Sequence, residues 1–493
     1  MILDHLPALQ VVVPLLAAPV IVLLRSGRAG WLIATLVSWI ALAIAILLFV
    51  QVHGTGVISY AIGSWPPPWG IEYRVDALNS YVLVLVALIA SVVLPYARTS
   101  IAAEIPEDRH YLLYCMFVLC LCGLLGIAIT GDAFNVFVFL EISSLSGYVL
   151  VGLGRDRRAL RAAYQYLIMG TIGATFYVIG VGLLYLMTGT LNLADMATRL
   201  AAVEETRQVL AALAFITVGL SLKIALFPLH VWLPGAYAYA PSAVASFMAA
   251  TATKVSVYVL LRFVFGVFGV RLALPQLHLL DMLMVLSAIA MVVASLVALL
   301  ERDLKRLLAY SSVAQIGYIT LGLSLGNADG MTAAVAHLFN HGITKAALFM
   351  LAGCIVLRAG TGRLEALAGL ARRMPLTCFG VVLAGLSLVG IPGTAGFITK
   401  WHLVLAALQE GHWWVIAVIA TSSLLAAGYV WKFVEVAYLQ RPPSAAPVRE
   451  EAPLSLLVPA WVLVAACVYF GLETSFSLGG AREAAAMLLG ALR

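Results

Sequence analysis

Charge is what this sequence has least of: only 11% of its 493 residues are Asp, Glu, Lys or Arg. A globular domain carries roughly 25%, so a soluble enzyme is excluded. Apolar residues make up 63% instead, and the mean hydropathy is +1.04. Apolar runs of about 20 residues recur from Leu6 to Leu472, the length a helix needs to cross the hydrocarbon of a bilayer. The alternating ten-residue segments of a membrane barrel are lacking. The expected fold class is therefore all-α, a polytopic membrane protein embedded in a lipid bilayer. A net charge of +6 then belongs to loops and orientation, and nucleic acid is not an expected partner.

Cysteine is scarce as well, with six in all and no CxxC pair. Cys115, Cys120 and Cys122 lie within an apolar run, CMFVLCLC, whereas a metal or cluster site wants thiolates at fixed short spacings near a polar loop. They read as small buried hydrophobes, and no haem, iron–sulfur cluster, metal or other cofactor is expected. The opening MILDHLPALQ lacks the basic region of a cleaved signal, so the first helix is expected to stay.

Apolar windows place about fourteen spans, centred near residues 16, 41, 87, 120, 142, 175, 218, 254, 291, 316, 345, 393, 425 and 462. Seventeen basic residues then fall on one face: Arg25, Arg28, Arg98, Arg109, Arg155, Arg157, Arg158, Arg161, Arg302, Lys305, Arg306, Arg358, Arg363, Arg372, Arg373, Arg441 and Arg449. Six fall on the other: Arg74, Arg199, Arg207, Arg271, Arg482 and Arg493. By the positive-inside rule both termini are expected outside, in a bacterial inner membrane.

Lysine is rarer still, six against 23 arginines. Lys223, Lys254, Lys345 and Lys400 nevertheless sit deep in apolar runs, where a charge costs about 2.5–3.5 kcal/mol on insertion scales. Arginine there could not lose its proton, whereas a buried lysine can; snorkelling to an interface is the plainer alternative. Lys223 precedes Pro228 and Pro234, and Lys400 follows Gly390, Pro392, Gly393 and Gly396. Proline removes a backbone donor, and a broken membrane helix is tolerated only inside protein or beside a wet cavity. Paired breaks of this kind mark conduction sites in transporters, although a structural kink would also explain either one.

Glu141 is the carboxylate nearest the middle of any span, about nine residues beyond Asp132 at the helix entrance. It must be protonated or paired, and a membrane lysine is the obvious partner, as relay or as a purely structural ion pair. His337, His341 and Lys345 recur at i, i+4 and i+8, one face of one helix. Imidazole titrates near neutrality, so such a stripe can pass protons through water; structural hydrogen bonding or zinc ligation are the rivals, the latter without the glutamate of an HExxH site. His230, after the Pro228 break, is a further relay or gate candidate, as are Asp132 and Ser146. Sodium wants several oxygen ligands, and the spans offer one central carboxylate with Ser143, Ser144 and Ser146 nearby.

The strings DAFNVFVFLEISSLSGY, SLKIALFPLHVWLPGAYAYAPS, AYSSVAQIGYI, HLFNHGITKAALFM and GIPGTAGFITKW resemble the antiporter-like subunits shared by Mrp-type sodium/proton antiporters, respiratory complex I and membrane-bound hydrogenases. The wording around Glu141 is most similar to the D-type subunit of Mrp antiporters. The resemblance covers roughly residues 70 to 440. It implies fourteen spans with two inverted five-helix repeats and discontinuous seventh and twelfth spans carrying Lys223 and Lys400. It divides the chain into three N-terminal spans at residues 1–105, repeats at 106–270 and 275–440, and a last span with its tail at 445–493. Glu141 would pair with Lys223, Lys254 would relay, His337, His341 and Lys345 would form the central row, and Lys400 would close the second half-channel. The implied function is proton translocation within a multisubunit Na+/H+ antiporter, alongside other hydrophobic subunits, with the sodium path expected in a partner subunit or at an interface. A proton-pumping subunit of a redox-driven complex, or a non-transporting scaffold, are the alternatives.

Overall fold

The computed structural model describes residues 3–203, 207–269, 278–441 and 450–490. Arg271, Arg449 and Arg493, and the expected boundaries near 270–275 and 445, lie outside the described residues.

The chain is a helical bundle throughout. The first six spans are α1 (Leu6–Leu24), α2 (Gly27–Thr55), α3 (Ala77–Glu104), α4 (His110–Ile129), α5 (Ala133–Gly152) and α6 (Arg157–Thr188). A short surface helix, α7 (Leu193–Leu200), leads to a broken span, α8 (Arg207–Ile224) and α9 (Trp232–Tyr239), followed by α10 (Ser242–Leu261). Then come α11 (Leu279–Leu300), α12 (Leu304–Ser324) and α13 (Ala328–Ala359). A second broken span, α14 (Pro375–Val389) and α15 (Ala395–Gln409), precedes α16 (Trp413–Val434), α17 (Leu454–Leu472) and α18 (Ser475–Gly490). Among the described residues, thirteen helices are long and apolar enough to cross a membrane. The pair α14 and α15, each too short alone, makes the fourteenth crossing.

Both breaks arise where the sequence placed them. Helix α8 stops at Ala225, a non-glycine residue at φ 60°, and the chain turns through Pro228 before resuming at Trp232. Helix α14 stops at Gly390, φ 85°, a left-handed cap that favours glycine.

The two repeats betray themselves at their helix starts. Asp132 caps α5 through the amide of Asn135 at 2.7 Å, and Asp303 caps α12 through the amides of Lys305 and Arg306. Beside each cap the chain returns in an antiparallel bridge, Asp132 with Asn192 and Asp303 with Arg363. Five crossings, α5 through α11, lie between the start of α5 and the start of α12, an odd number, so the matching starts lie on opposite faces. The repeats are inverted.

The centre belongs to α10 and α12, each 94% buried over its apolar window, against 28% for α16 at the periphery. Gly342 of α13 abuts α10 so closely that an added Cβ would stand 3.0 Å from the Ala250 carbonyl.

Two features escaped the sequence reading. A small hairpin pairs Ile58–Ala61 with Glu72–Val75 on the face where α1 begins. The residues expected as a tail form α18, which packs back on α3 and α13: Tyr81 Oη donates to the Ser477 carbonyl at 2.9 Å, and Phe476 lies 5.4 Å from the Phe339 ring.

Candidate functional site

Each broken helix leaves carbonyls without intrahelical partners, and each places a lysine beside the gap. Lys400 donates to the carbonyls of Leu388 and Val389, both at 2.9 Å, and to Ser423 Oγ at 3.0 Å. The ammonium thus sits at the negative end of α14, with the Tyr318 ring 4.5 Å beneath it. Lys223, in the last turn of α8, donates to Ser144 Oγ at 2.7 Å and lies 3.7 Å from Glu141 Oε1. Glu141 and Ser144 are one turn apart on α5, so one helix face offers both a charge and a hydroxyl. Beside them is a small cavity of about 20 Å3, lined by Lys223, Ser143, Ser144, Tyr166 and, from α10, Ser256. That is room for a single water.

The central row lies on α10 and α13. Lys254 is 1% exposed and donates to the Ala249 carbonyl at 2.5 Å. His337 and His341 stack with ring centres 5.6 Å apart and planes 8° apart. Both His337 nitrogens are engaged, Nδ1 with Thr399 Oγ1 at 2.7 Å and Nε2 with Gln315 Oε1 at 2.8 Å. Among the described residues His341 has no hydrogen-bond partner on either nitrogen, although it lies within electrostatic reach of Lys254 and Lys345. Lys345 is wholly buried and donates to the Leu308 carbonyl at 2.8 Å and Ser311 Oγ at 2.5 Å.

Six of these residues, Lys223, Lys254, His337, His341, Lys345 and Lys400, therefore line the buried interior, and Glu141 stands at its edge, half-buried. Thr399 joins the row to the second break, since it bonds His337 and adjoins Lys400 in sequence.

The secondary candidates sit elsewhere. Asp132 spends its carboxylate on the α5 cap. Ser146 donates to the Ile142 carbonyl of its own helix at 2.6 Å. His230 stacks on Phe227 at 5.2 Å in the segment between α8 and α9, its Nδ1 buried.

Sequence reasoning missed Gln315, Ser311, Thr399 and Ser423. Their only signal is polarity inside an apolar run, the same signal that exposed the lysines. Lys305, read as a loop residue, is 6% exposed and sits on the floor of a cavity; as the second residue of α12 it turns inward. Among the described residues no group of three or more His, Cys, Asp or Glu side chains could hold a metal ion.

Fold and site together define a helical membrane protein built of two inverted repeats around a buried row of amines and imidazoles. The chain belongs to the NADH:quinone oxidoreductase/Mrp antiporter transmembrane family, which matches it over residues 130–426. It is 43% identical over 484 residues to the N-type subunit of the NADH-quinone oxidoreductase of Desulforudis audaxviator, covering 95% of this chain and 96% of that one. The D-type subunit of the Na+/H+ antiporter of Alkalihalophilus pseudofirmus is 29% identical over 427 residues, covering 86% and 85%. In structure the chain is similar to a polypeptide of the Mrp complex from Dietzia sp. DQ12-45-1b, with a TM-score of 0.89, 27% identity and full coverage of both.

Proposed function

We propose that this chain is the proton-translocating subunit of a multisubunit cation/proton antiporter exchanging Na+ for H+. The observation that carries the reading is the buried set from Lys223 to Lys400, in which each lysine has a hydroxyl or carbonyl acceptor and the two imidazoles stand between.

Protons would enter near Lys223, cross Lys254, His337, His341 and Lys345, and leave near Lys400, or run the reverse way. Electrostatics supplies the coupling. At an effective dielectric near 20, a pair about 4 Å apart interacts by about 4 kcal/mol, or roughly three pKa units. Closing Glu141 on Lys223 holds the proton on the amine; opening the pair lets the desolvated amine give it up.

Glu141 also points to where a partner would sit. Its side chain is 24% exposed on the same α5 stripe as Val138 (38%) and Leu145 (53%). A carboxylate partly turned toward lipid is costly. That face suits another hydrophobic subunit, and with one central carboxylate in this chain we place the sodium path in that partner or at the joint. The arginine-rich face is assigned to the cytoplasm of a bacterial cell by the positive-inside rule, with both termini outside.

The 43% identity to an N-type oxidoreductase subunit favours a second reading, a proton-pumping subunit of a redox-driven complex. The same relay serves both. Copurification from native membranes separates them: small hydrophobic antiporter subunits support the first reading, and flavin or iron–sulfur proteins overturn it in favour of the second. Alanine at Glu141 or Lys223 tests the relay itself, because proton movement that survives either change in an assembled complex rules it out.

A further inference from the structure

On the arginine-rich face a cavity of about 870 Å3 opens where the two repeats meet. Its rim carboxylates are committed. Arg158 holds Asp156 at 2.6 Å, Arg306 holds Glu301 at 2.8 Å, and Arg302 lies 3.5 Å from Glu365. Asp303 accepts the backbone amides of α12. Hydrogen bonds from Arg158 keep Asp156 below the usual carboxylate range. Arg155 and Arg363 complete the charged rim.

The floor is different. Glu104, the last residue of α3, accepts from Ser100 Oγ at 2.6 Å and from the Ser242 amide at 2.9 Å, and among the described residues it forms no ion pair. Ser242 Oγ in turn accepts from Lys305 Nζ at 2.9 Å. One acid, one serine and one buried amine thus join α3, α10 and α12. The nearby phenols are engaged: Tyr96 donates to the Met350 carbonyl at 3.0 Å, beside Cys354, and Tyr239 lies under Arg158.

From this floor the face of α12 that carries Lys305 runs inward through the Leu308 carbonyl, which accepts from Ser312 Oγ at 3.0 Å, to Gln315. Lys345 of α13 is hydrogen-bonded to the Leu308 carbonyl and to Ser311, which lie about 4.5 Å and about 9 Å of helix rise beyond Lys305 on α12. On α10, Ser246 donates to the Ser242 carbonyl at 2.8 Å, a turn closer to Lys254.

We infer that Glu104, Ser242 and Lys305 form a separate access to the central row, loading Lys345 from the charged cavity without passing Lys223. Glu104 takes a proton from cavity water; Lys305 gives its own proton toward Ser311 and Lys345 and is recharged from the Glu104 carboxyl. The inference rests on the relay reading above and adds a second way into it.

The test uses the whole complex in sealed vesicles, with cavity-side pH varied and the other side held fixed. Glu104→Gln and Lys305→Met are both made, so that a failure of one to assemble leaves the other to decide. With loading made rate-limiting, proton movement should become proportional to cavity-side proton concentration, about tenfold per pH unit, while the unaltered chain stays nearly flat. A rate that is unchanged, or depressed equally at every cavity-side pH, overturns the inference and leaves the relay standing. Glu141→Gln is measured alongside; full transport in that variant would sink the relay reading itself, whatever the floor variants do.

Discussion

Nζ of Lys223 stands 3.7 Å from Oε1 of Glu141, and that oxygen is buried with no hydrogen bond of its own. The pair is therefore held by charge alone, while Ser144 at 2.7 Å gives the amine a neutral acceptor when the acid moves away. An interaction of this kind can switch, because breaking it still leaves the amine a neutral acceptor in Ser144.

Glu141→Gln should cut proton movement at least about tenfold, well within the roughly three pKa units such a pair can supply. Adding Lys223→Met should cost little more, since residues acting as a unit are not additive. Fluorescence quenching of a pH dye in vesicles gives both rates. Losses that simply multiply would mean that the two residues act independently.

Lysine-to-arginine changes separate charge from proton exchange. Arg keeps the cation but does not release it, so Lys254→Arg and Lys400→Arg should assemble and yet transport at background. Normal turnover in either variant would show that a fixed positive charge suffices there.

The two imidazoles should behave differently on removal. His337→Ala leaves Gln315 Oε1 without its imidazole partner, whereas Thr399 keeps its bond to the Gly396 carbonyl, and an unpaired buried polar group costs about 1–3 kcal/mol. His341→Ala leaves no such orphan, since neither ring nitrogen is bonded. Both should lose transport, but the melting temperature should fall mainly for His337→Ala.

Gly390→Ala probes the second break. At φ 85° a side chain is strained, and its Cβ would stand 2.7 Å from Lys400 Cδ. The left-handed conformation costs roughly 1–2 kcal/mol, and the Lys400 amine should be pushed off the Leu388 and Val389 carbonyls. Transport should fall more than thermal stability does; a variant with full turnover would show that the position of Lys400 is not critical.

Much of this was legible in the residues. Span length and hydropathy are local properties, so the crossings could be counted along the chain, and the breaks after Lys223 and before Lys400 follow from the backbone chemistry of Pro228 and Gly390. A lysine in the middle of an apolar run is conspicuous without any neighbour. What could not be read was which side chains meet across helices. Thr399 beside His337, Ser311 beneath Lys345 and Ser242 between Glu104 and Lys305 come together over long stretches of chain, and no periodicity encodes those meetings. Lys305 is the clearest case: two residues past a helix cap, it looks like a loop cation until α10 is laid against α12. Composition and helical period determined a bundle of membrane spans with amines in its interior. Packing alone decided which oxygen each amine faces, because a hydrogen bond depends on the distance between helices and not on position within one.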